Sequence, residues 1–132
     1  MNSSDRETPS FELTQEVDGL LPENHWRRKM TLEELAQNIA AWGEDRGITV
    51  NGNPSSQMVK LCEEMGELAA GIARNDKELI MDSIGDCIVV LIMIAELTNN
   101  DTKKCVEMAW NEIKDRKGYL NSDGIFIKEA DA

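Results

Sequence analysis

Two short acidic clusters, Glu63-Glu64-Met65-Gly66-Glu67 and Asp82-Ser83-Ile84-Gly85-Asp86, lie on either side of Asn75-Asp76 at nearly mirrored distances. Apolar periodicity predicts one helix over about 56–74 and another over about 77–98, with Asn75-Asp76 as the tight break between them. Such a pair folds as an antiparallel helical hairpin. Counted from Asn75, Glu64 lies eleven residues before and Asp86 eleven after, while Glu67 lies eight before and Asp82 seven after. With a rise of ~1.5 Å per residue, the members of each pair end at nearly the same height. Glu63, Glu64 and Glu67 share an arc of about 100° on their helix, and Asp82 and Asp86 an arc of about 40° on theirs. Carboxylates gathered on one spot repel one another. A hard cation with oxygen ligands reconciles them, Mg²⁺ in the first instance with Mn²⁺ as a substitute.

The apolar residues give the hairpin its other side. Met58, Leu61, Cys62, Met65, Leu68, Ala69 and Ile72 lie away from the acids on the first of the two helices. The second carries Cys87-Ile88-Val89-Val90-Leu91-Ile92-Met93-Ile94-Ala95, apolar all round, which predicts a helix buried in a core. An acidic triplet on a single helix is ordinarily a solvated face. Asp82 and Asp86 argue for more, because aspartate is a poor helix former and these two lead straight into the apolar run. Ala70 and Gly71, small and near the acidic side, are expected to leave room for a ligand.

Length and charge narrow the classes. The 132 residues suit one domain with a modest core, and a net charge of −11 excludes a protein that grips a nucleic-acid backbone. A small nucleotide carrying its own cation is still admissible. The apolar run is far shorter than the ~20 residues that span a bilayer. Met1 to Ser10 is polar and acidic, so neither membrane insertion nor export is expected, and a cytoplasmic setting follows. Cys62, Cys87 and Cys105 are widely spaced among apolar helix positions and read as reduced core residues. His25 is the only histidine, which argues against zinc hydrolase motifs and paired Glu-x-x-His di-iron sites. A Ser-His-Asp triad would have to rest on that one residue.

The remaining elements complete an all-α expectation. Residues 1–29 read as a polar, flexible extension. Thr31 and Glu34 form a capping box that opens a helix over about 32–46, closed by Gly47. A loop is expected from Gly47 to Ser56. Asp101 caps a last helix over about 102–117, which stops at Gly118, and Asp123-Gly124 between apolar pairs predicts a small terminal hairpin. The sum is a four-helix bundle with an N-terminal arm and a C-terminal hairpin. Basic residues are scarce. Lys114, Arg116 and Lys117, preceded by Asn111, crowd the end of the last helix. They either compensate the helix macrodipole or meet the outer phosphates of a nucleotide. Trp26, Trp42 and Trp110 are candidates for stacking on a base or for the core.

The acidic runs and the flanking segments Thr31-Leu32-Glu33-Glu34-Leu35, Lys60-Leu61-Cys62-Glu63-Glu64-Met65-Gly66-Glu67-Leu68 and Trp110-Asn111-Glu112-Ile113-Lys114-Asp115-Arg116-Lys117-Gly118 resemble the MazG-like nucleotide pyrophosphohydrolases, over about 30–129. The likeness is to the short phage and bacterial type within the all-α NTP pyrophosphatases. It implies a domain over 30–132 that hydrolyses a (d)NTP to the monophosphate and pyrophosphate by Mg²⁺-assisted attack of water on the α-phosphorus. It implies metal ligation by Glu64, Glu67 and Asp86, with Glu63 as a further ligand or the group that orients the water. The family usually has Glu three residues before the final Asp. Here Ser83 stands there, and Asp82, one place earlier and on the same helix face as Asp86, is expected to substitute. Asn111, Lys114, Arg116 and Lys117 match the polar-basic segment that touches phosphate or sugar, and Trp42 is a candidate for the base. The likeness also implies a homodimer or homotetramer. The apolar surplus on the later helices independently suggests an oligomer in which a neighbour closes the site.

Two other readings compete. One is a non-enzymatic acidic helical module that binds a protein partner or mimics nucleic acid with its negative surface, which accounts for the charge but not for acids in register across a hairpin. The other keeps the site and exchanges the substrate for an alarmone.

Overall fold

The computed structural model describes residues 29–129. Residues 1–28, which hold nearly all of the expected extension with His25 and Trp26, lie outside the described residues, as do 130–132. Five helices and two short strands follow in order: α1 (Leu32–Asp45), α2 (Ile48–Asn51), α3 (Pro54–Arg74), α4 (Lys77–Leu97), α5 (Thr102–Ile113), β1 (Gly118–Leu120) and β2 (Phe126–Lys128). The chain divides into two compact units, one ending at Asp45 and the other beginning at Arg46. Among the described residues, no helix is long and apolar enough to cross a membrane.

In the first unit, α1 opens with the expected capping box. The Glu34 backbone N–H donates to Thr31 Oγ1 at 3.1 Å, and the Thr31 N–H donates to Glu34 Oε1 at 2.9 Å. In the second unit, residues 48–51 form a helical turn, not the loop expected there. Gly47 enters it in the left-handed conformation (φ 78°), and the turn packs on α4. Four residues are too few to leave a periodic signature. Asn53 then caps α3, its Oδ1 accepting from the Ser56 N–H at 2.8 Å, with Pro54 at the first helical position.

The α3–α4 connection has almost no loop. Asn75 takes the left-handed conformation (φ 55°, ψ 41°). Its N–H donates to the Ile72 carbonyl at 3.2 Å, and the Asp76 N–H donates to the Gly71 carbonyl at 2.9 Å. These two bonds are the Schellman pattern that closes a helix C-terminus. Asp76 in turn caps α4, its side chain accepting from the Leu79 N–H at 3.1 Å. The α4–α5 corner repeats the device: Asn99 is left-handed (φ 59°), the Asn100 N–H donates to the Ala95 carbonyl at 2.8 Å, and Asp101 caps α5. Asparagine tolerates this conformation better than other non-glycine residues, so both breaks sit on Asn.

Helices α3 and α4 dominate the packing of this unit, and α5 touches α4 only lightly. Leu61, Val90, Ile92, Met93 and Ala95 are buried. The apolar residues of α3 do not act as one face. Leu61 is buried and Leu68 half-buried, whereas Met58, Cys62, Met65, Ala69 and Ile72 form an exposed row. On α4, Met81, Ile84, Ile88 and Leu91 are likewise exposed, so the run 87–95 is covered on one side only. Cys62 and Cys105 are exposed and Cys87 half-buried, so the expected placement of all three cysteines in the core is corrected. Trp110 is also exposed. The helical hairpin and its flanks agree with an all-α class, to which the strands add one small antiparallel ribbon.

The terminal ribbon is wider-turned than expected. Leu120 pairs with Phe126, leaving Asn121 to Ile125 as the loop. Asn121 Oδ1 accepts from the backbone N–H groups of Asp123 and Ile125, both at 2.9 Å, and organises the turn alongside left-handed Gly124. The ribbon also shortens the preceding helix, which ends at Ile113 and not near 117. Lys114 to Lys117 form the link into β1.

Gly71 lies at a close approach of α3 and α4. A Cβ there would stand 3.2 Å from the backbone nitrogen of Ile80 and 3.3 Å from Leu79 Cγ, whereas a Cβ on Gly66 would meet nothing within 4 Å. The small residue at 71 therefore serves helix contact and not, as its sequence position suggested, space for a ligand. Gly71→Val is expected to destabilise the fold by about 1–3 kcal/mol through overpacking. Gly66→Ala should stabilise it by up to about 1 kcal/mol through helix propensity. Chemical denaturation of the two variants checks the contrast.

Candidate functional site

The register set by Asn75 and Asp76 brings the two acidic clusters together. Glu63, Glu64, Glu67, Asp82 and Asp86 line a single cavity of about 210 Å³, with Lys60, Leu79 and Ser83 completing the wall. Five carboxylates from two helices thus share one space, as the mirrored spacing predicted. Asp82 is among them, while Ser83 beside it is buried to 1% exposure. At the position where the family usually carries Glu, the side chain is thus a small hydroxyl tucked into the wall.

The electrostatics carry the mark of crowding. Burial pushes the Asp86 carboxyl above its ordinary value. The negative charges of Asp82 and Glu64 add to the rise, as does a hydrogen bond with Asp82, and Lys60 opposes it. Lys60 sits against the cluster. Its Nζ lies 3.3 Å from Glu64 Oε2 and 3.4 Å from Glu63 Oε1. Hydrogen bonds to Glu64 and then Glu63 push the lysine above its ordinary value, so it stays cationic. Glu64 is the more enclosed of the two partners, with 15% of its side chain exposed against 64% for Glu63. Sequence reasoning placed Lys60 in the matching motif but gave it no role. The available signal was its spacing, three and four residues before two glutamates.

The donor set suits a hard divalent cation, since the cavity offers carboxylate oxygens from both helices and no softer ligand. Among the described residues, no three such groups are already drawn in as closely as a bound ion would hold them. Glu64 and Glu63 instead face the lysine.

The residues assigned to substrate do not line this cavity. Arg116 and Lys117 border a second one, of about 540 Å³, with Glu112, Asp115, Lys128 and Glu129. Asn111, on α5, and Lys114, just after it, belong to the same end of the chain, and both are exposed. Trp42 is on α1, in the first unit.

Such a pair of helices, with facing acidic clusters before an apolar run, places the chain in the all-α class with an acidic cavity. Comparison with known families makes it specific. Residues 53–117, 65 of the 132, match the MazG nucleotide pyrophosphohydrolase domain, and that segment is MazG-like. The match contains all five acids and all four residues of the polar-basic segment. A similar protein is the "Uncharacterized 18.2 kDa protein in rep-hol intergenic region" of Haemophilus phage HP1. It is 44% identical over 71 residues, which make up 54% of this chain and 44% of the phage protein. The chain thus spans less than half the length of that relative. No solved structure matches.

A raised carboxyl has a definite consequence for stability. The native state binds the Asp86 proton more tightly than the unfolded chain does. Ionised Asp86 is therefore a destabilising group at neutral pH, and the loss is relieved as pH falls through its folded-state pKa. Asp86→Asn should melt above the parent at pH 7 in metal-free buffer, and the gap should narrow on acidification. Thermal denaturation followed by circular dichroism tests this. A variant no more stable than the parent at neutral pH would mean the carboxylates do not strain the fold.

Proposed function

We propose that the chain hydrolyses nucleoside triphosphates, ribo- or deoxyribo-, to the monophosphate and pyrophosphate, with Mg²⁺ as cofactor and Mn²⁺ able to replace it. The observation that carries this reading is the convergence of five carboxylates on one cavity within the segment that matches the MazG domain. Glu64, Glu67, Asp82 and Asp86 are the metal ligands in this reading. A divalent cation held there would neutralise phosphate charge and make a nearby water a better nucleophile. Glu63, the most exposed partner of Lys60, is free to turn toward solvent, hold the attacking water by its carboxylate oxygen and accept its proton. Glu64 supports the same water while ligating. No covalent nucleophile is required, since positioning and charge neutralisation suffice for a phosphoanhydride.

The domain is taken to run over 30–132. Asn111, Lys114, Arg116 and Lys117 would bind the outer phosphates or sugar, and Trp42 the base. The basic segment lines a different cavity from the acids in one chain, so assembly is the route we favour for uniting them. The exposed apolar rows on α3 and α4 support a homodimer or homotetramer, since contiguous apolar surface of this kind marks an interface. The family favours a nucleotide over the competing acidic interaction module, which has no use for carboxylates facing one another across a hairpin.

Hydrolysis in ¹⁸O-labelled water, run against all eight NTPs and dNTPs, tests the reaction. The label should enter the monophosphate, with pyrophosphate as the other product. Label in orthophosphate would show attack at the γ-phosphorus and sink the assignment. Glu64→Gln, Glu67→Gln and Asp86→Asn should each remove most turnover and leave the far-ultraviolet helical signal intact. Near-parental activity in all three at saturating substrate and Mg²⁺ would show that the reacting phosphate lies elsewhere. Lys114→Ala and Arg116→Ala should each weaken triphosphate binding by about 1.5–3 kcal/mol if the contacts are charge-assisted, measured as the change in KM or in analogue affinity.

A further inference from the structure

We propose that Lys60 is an exchangeable cation built into the acidic cavity: it occupies Glu63 and Glu64 before a divalent cation arrives, then turns its ammonium to the triphosphate. This rests on reading the acidic cluster as a divalent-cation site, and it adds a substrate-positioning residue to that site.

The placement carries the argument. Among the described residues, Lys60 is the only basic residue that lines the cavity. Its Nζ bridges both glutamates, at 3.4 Å from Glu63 Oε1 and 3.3 Å from Glu64 Oε2. It also offsets the negative charge at Asp86 on the facing helix, so its field reaches both walls. A bridge made for helix stability would use the opposite order, because glutamate placed before lysine at four-residue spacing is the more favourable arrangement. The lysine side chain is about half exposed, at 52%. Ion pairs that exposed are worth little and break readily.

Displacement follows from charge. A doubly charged ion on Glu64 would repel an ammonium in contact with the same carboxylate. Lys60 has a flexible four-carbon stem on the rim of the cavity and need not leave the site to relieve that repulsion. An anionic phosphate entering the cavity gives the ammonium a new partner, and lysine binds phosphate well as a point charge. The pair therefore lowers the repulsion among carboxylates in the metal-free protein and supplies positive charge to the substrate afterwards.

The test is Mn²⁺ binding to the full chain without nucleotide, by calorimetry and by the loss of the free-ion electron paramagnetic resonance signal, for the parent, Lys60→Gln and Lys60→Arg. Removing the competing charge should tighten Mn²⁺ binding in Lys60→Gln by roughly tenfold. Lys60→Arg keeps the charge and should stay close to the parent. Calorimetry with inorganic tripolyphosphate on the Mg²⁺-loaded protein should show the reverse order, with Lys60→Gln several-fold weaker. Mn²⁺ affinity that is unchanged or lower in Lys60→Gln overturns the proposal, as does tripolyphosphate bound equally by that variant and the parent. Tightening in both variants would mean a packing effect and overturns it too. If the parent binds no Mn²⁺, the metal reading of the acidic cluster fails and this proposal with it. A parent that binds Mn²⁺ beside an indifferent variant sinks the role of Lys60 alone.

Discussion

The α3–α4 corner is the constraint on which the rest of this unit hangs. With Asn75 ending one helix and Asp76 capping the next, no slack residue lets α4 slide along α3. Two Schellman hydrogen bonds and a side-chain cap fix the height of every residue on both helices relative to its opposite number. Glu64 meets the level of Asp86 for that reason, and Gly71 sits against Leu79 and Ile80 for the same reason. A longer connection would have cost about as little in entropy but would have freed the register.

The register then imposes an electrostatic problem. Carboxylates from two helices enclose a small volume, and burial with the charges of Asp82 and Glu64 raises Asp86 above its ordinary value. The fold tolerates this through partial exposure of Glu63 and through Lys60, which lies within reach of two of the acids. A core that buried the five acids completely would need them neutral or metal-bound at all times. Leaving the cavity open keeps the carboxylates hydrated, which lets the fold carry them ionised.

Much of this arrangement could be read from residue order because it depends on local chemistry. Capping residues Thr31 and Asp101, the break at Asn75-Asp76 and the mirrored acid spacing are short-range signals, and the hairpin converts them directly into geometry. What escaped was set by longer-range or weaker terms. Residues 48–51 are helical only as a single turn against α4. The early end of α5 depends on the pairing of β1 with β2, which no property of 114–117 announces. Hydropathy gave α3 one apolar side, whereas packing divides it into a buried line through Leu61 and an uncovered row from Met58 to Ile72. Lys60 was visible as a motif letter, but its role emerges only when its ammonium is seen between two glutamates. The basic segment shows the limit most plainly: its residues fall within the matched stretch 53–117, yet none of them lines the acidic cavity.

The hairpin has a consequence for how the cavity comes into being. Every acid that lines it falls within the stretch from Glu63 to Asp86, joined by one turn and no distant segment. Contacts so close in sequence form early and fast, since little loop-closure entropy separates them. The cavity walls therefore depend on local contacts alone. Association between chains depends on concentration, whereas the carboxylates meet one another, and Lys60 reaches them, within a single chain.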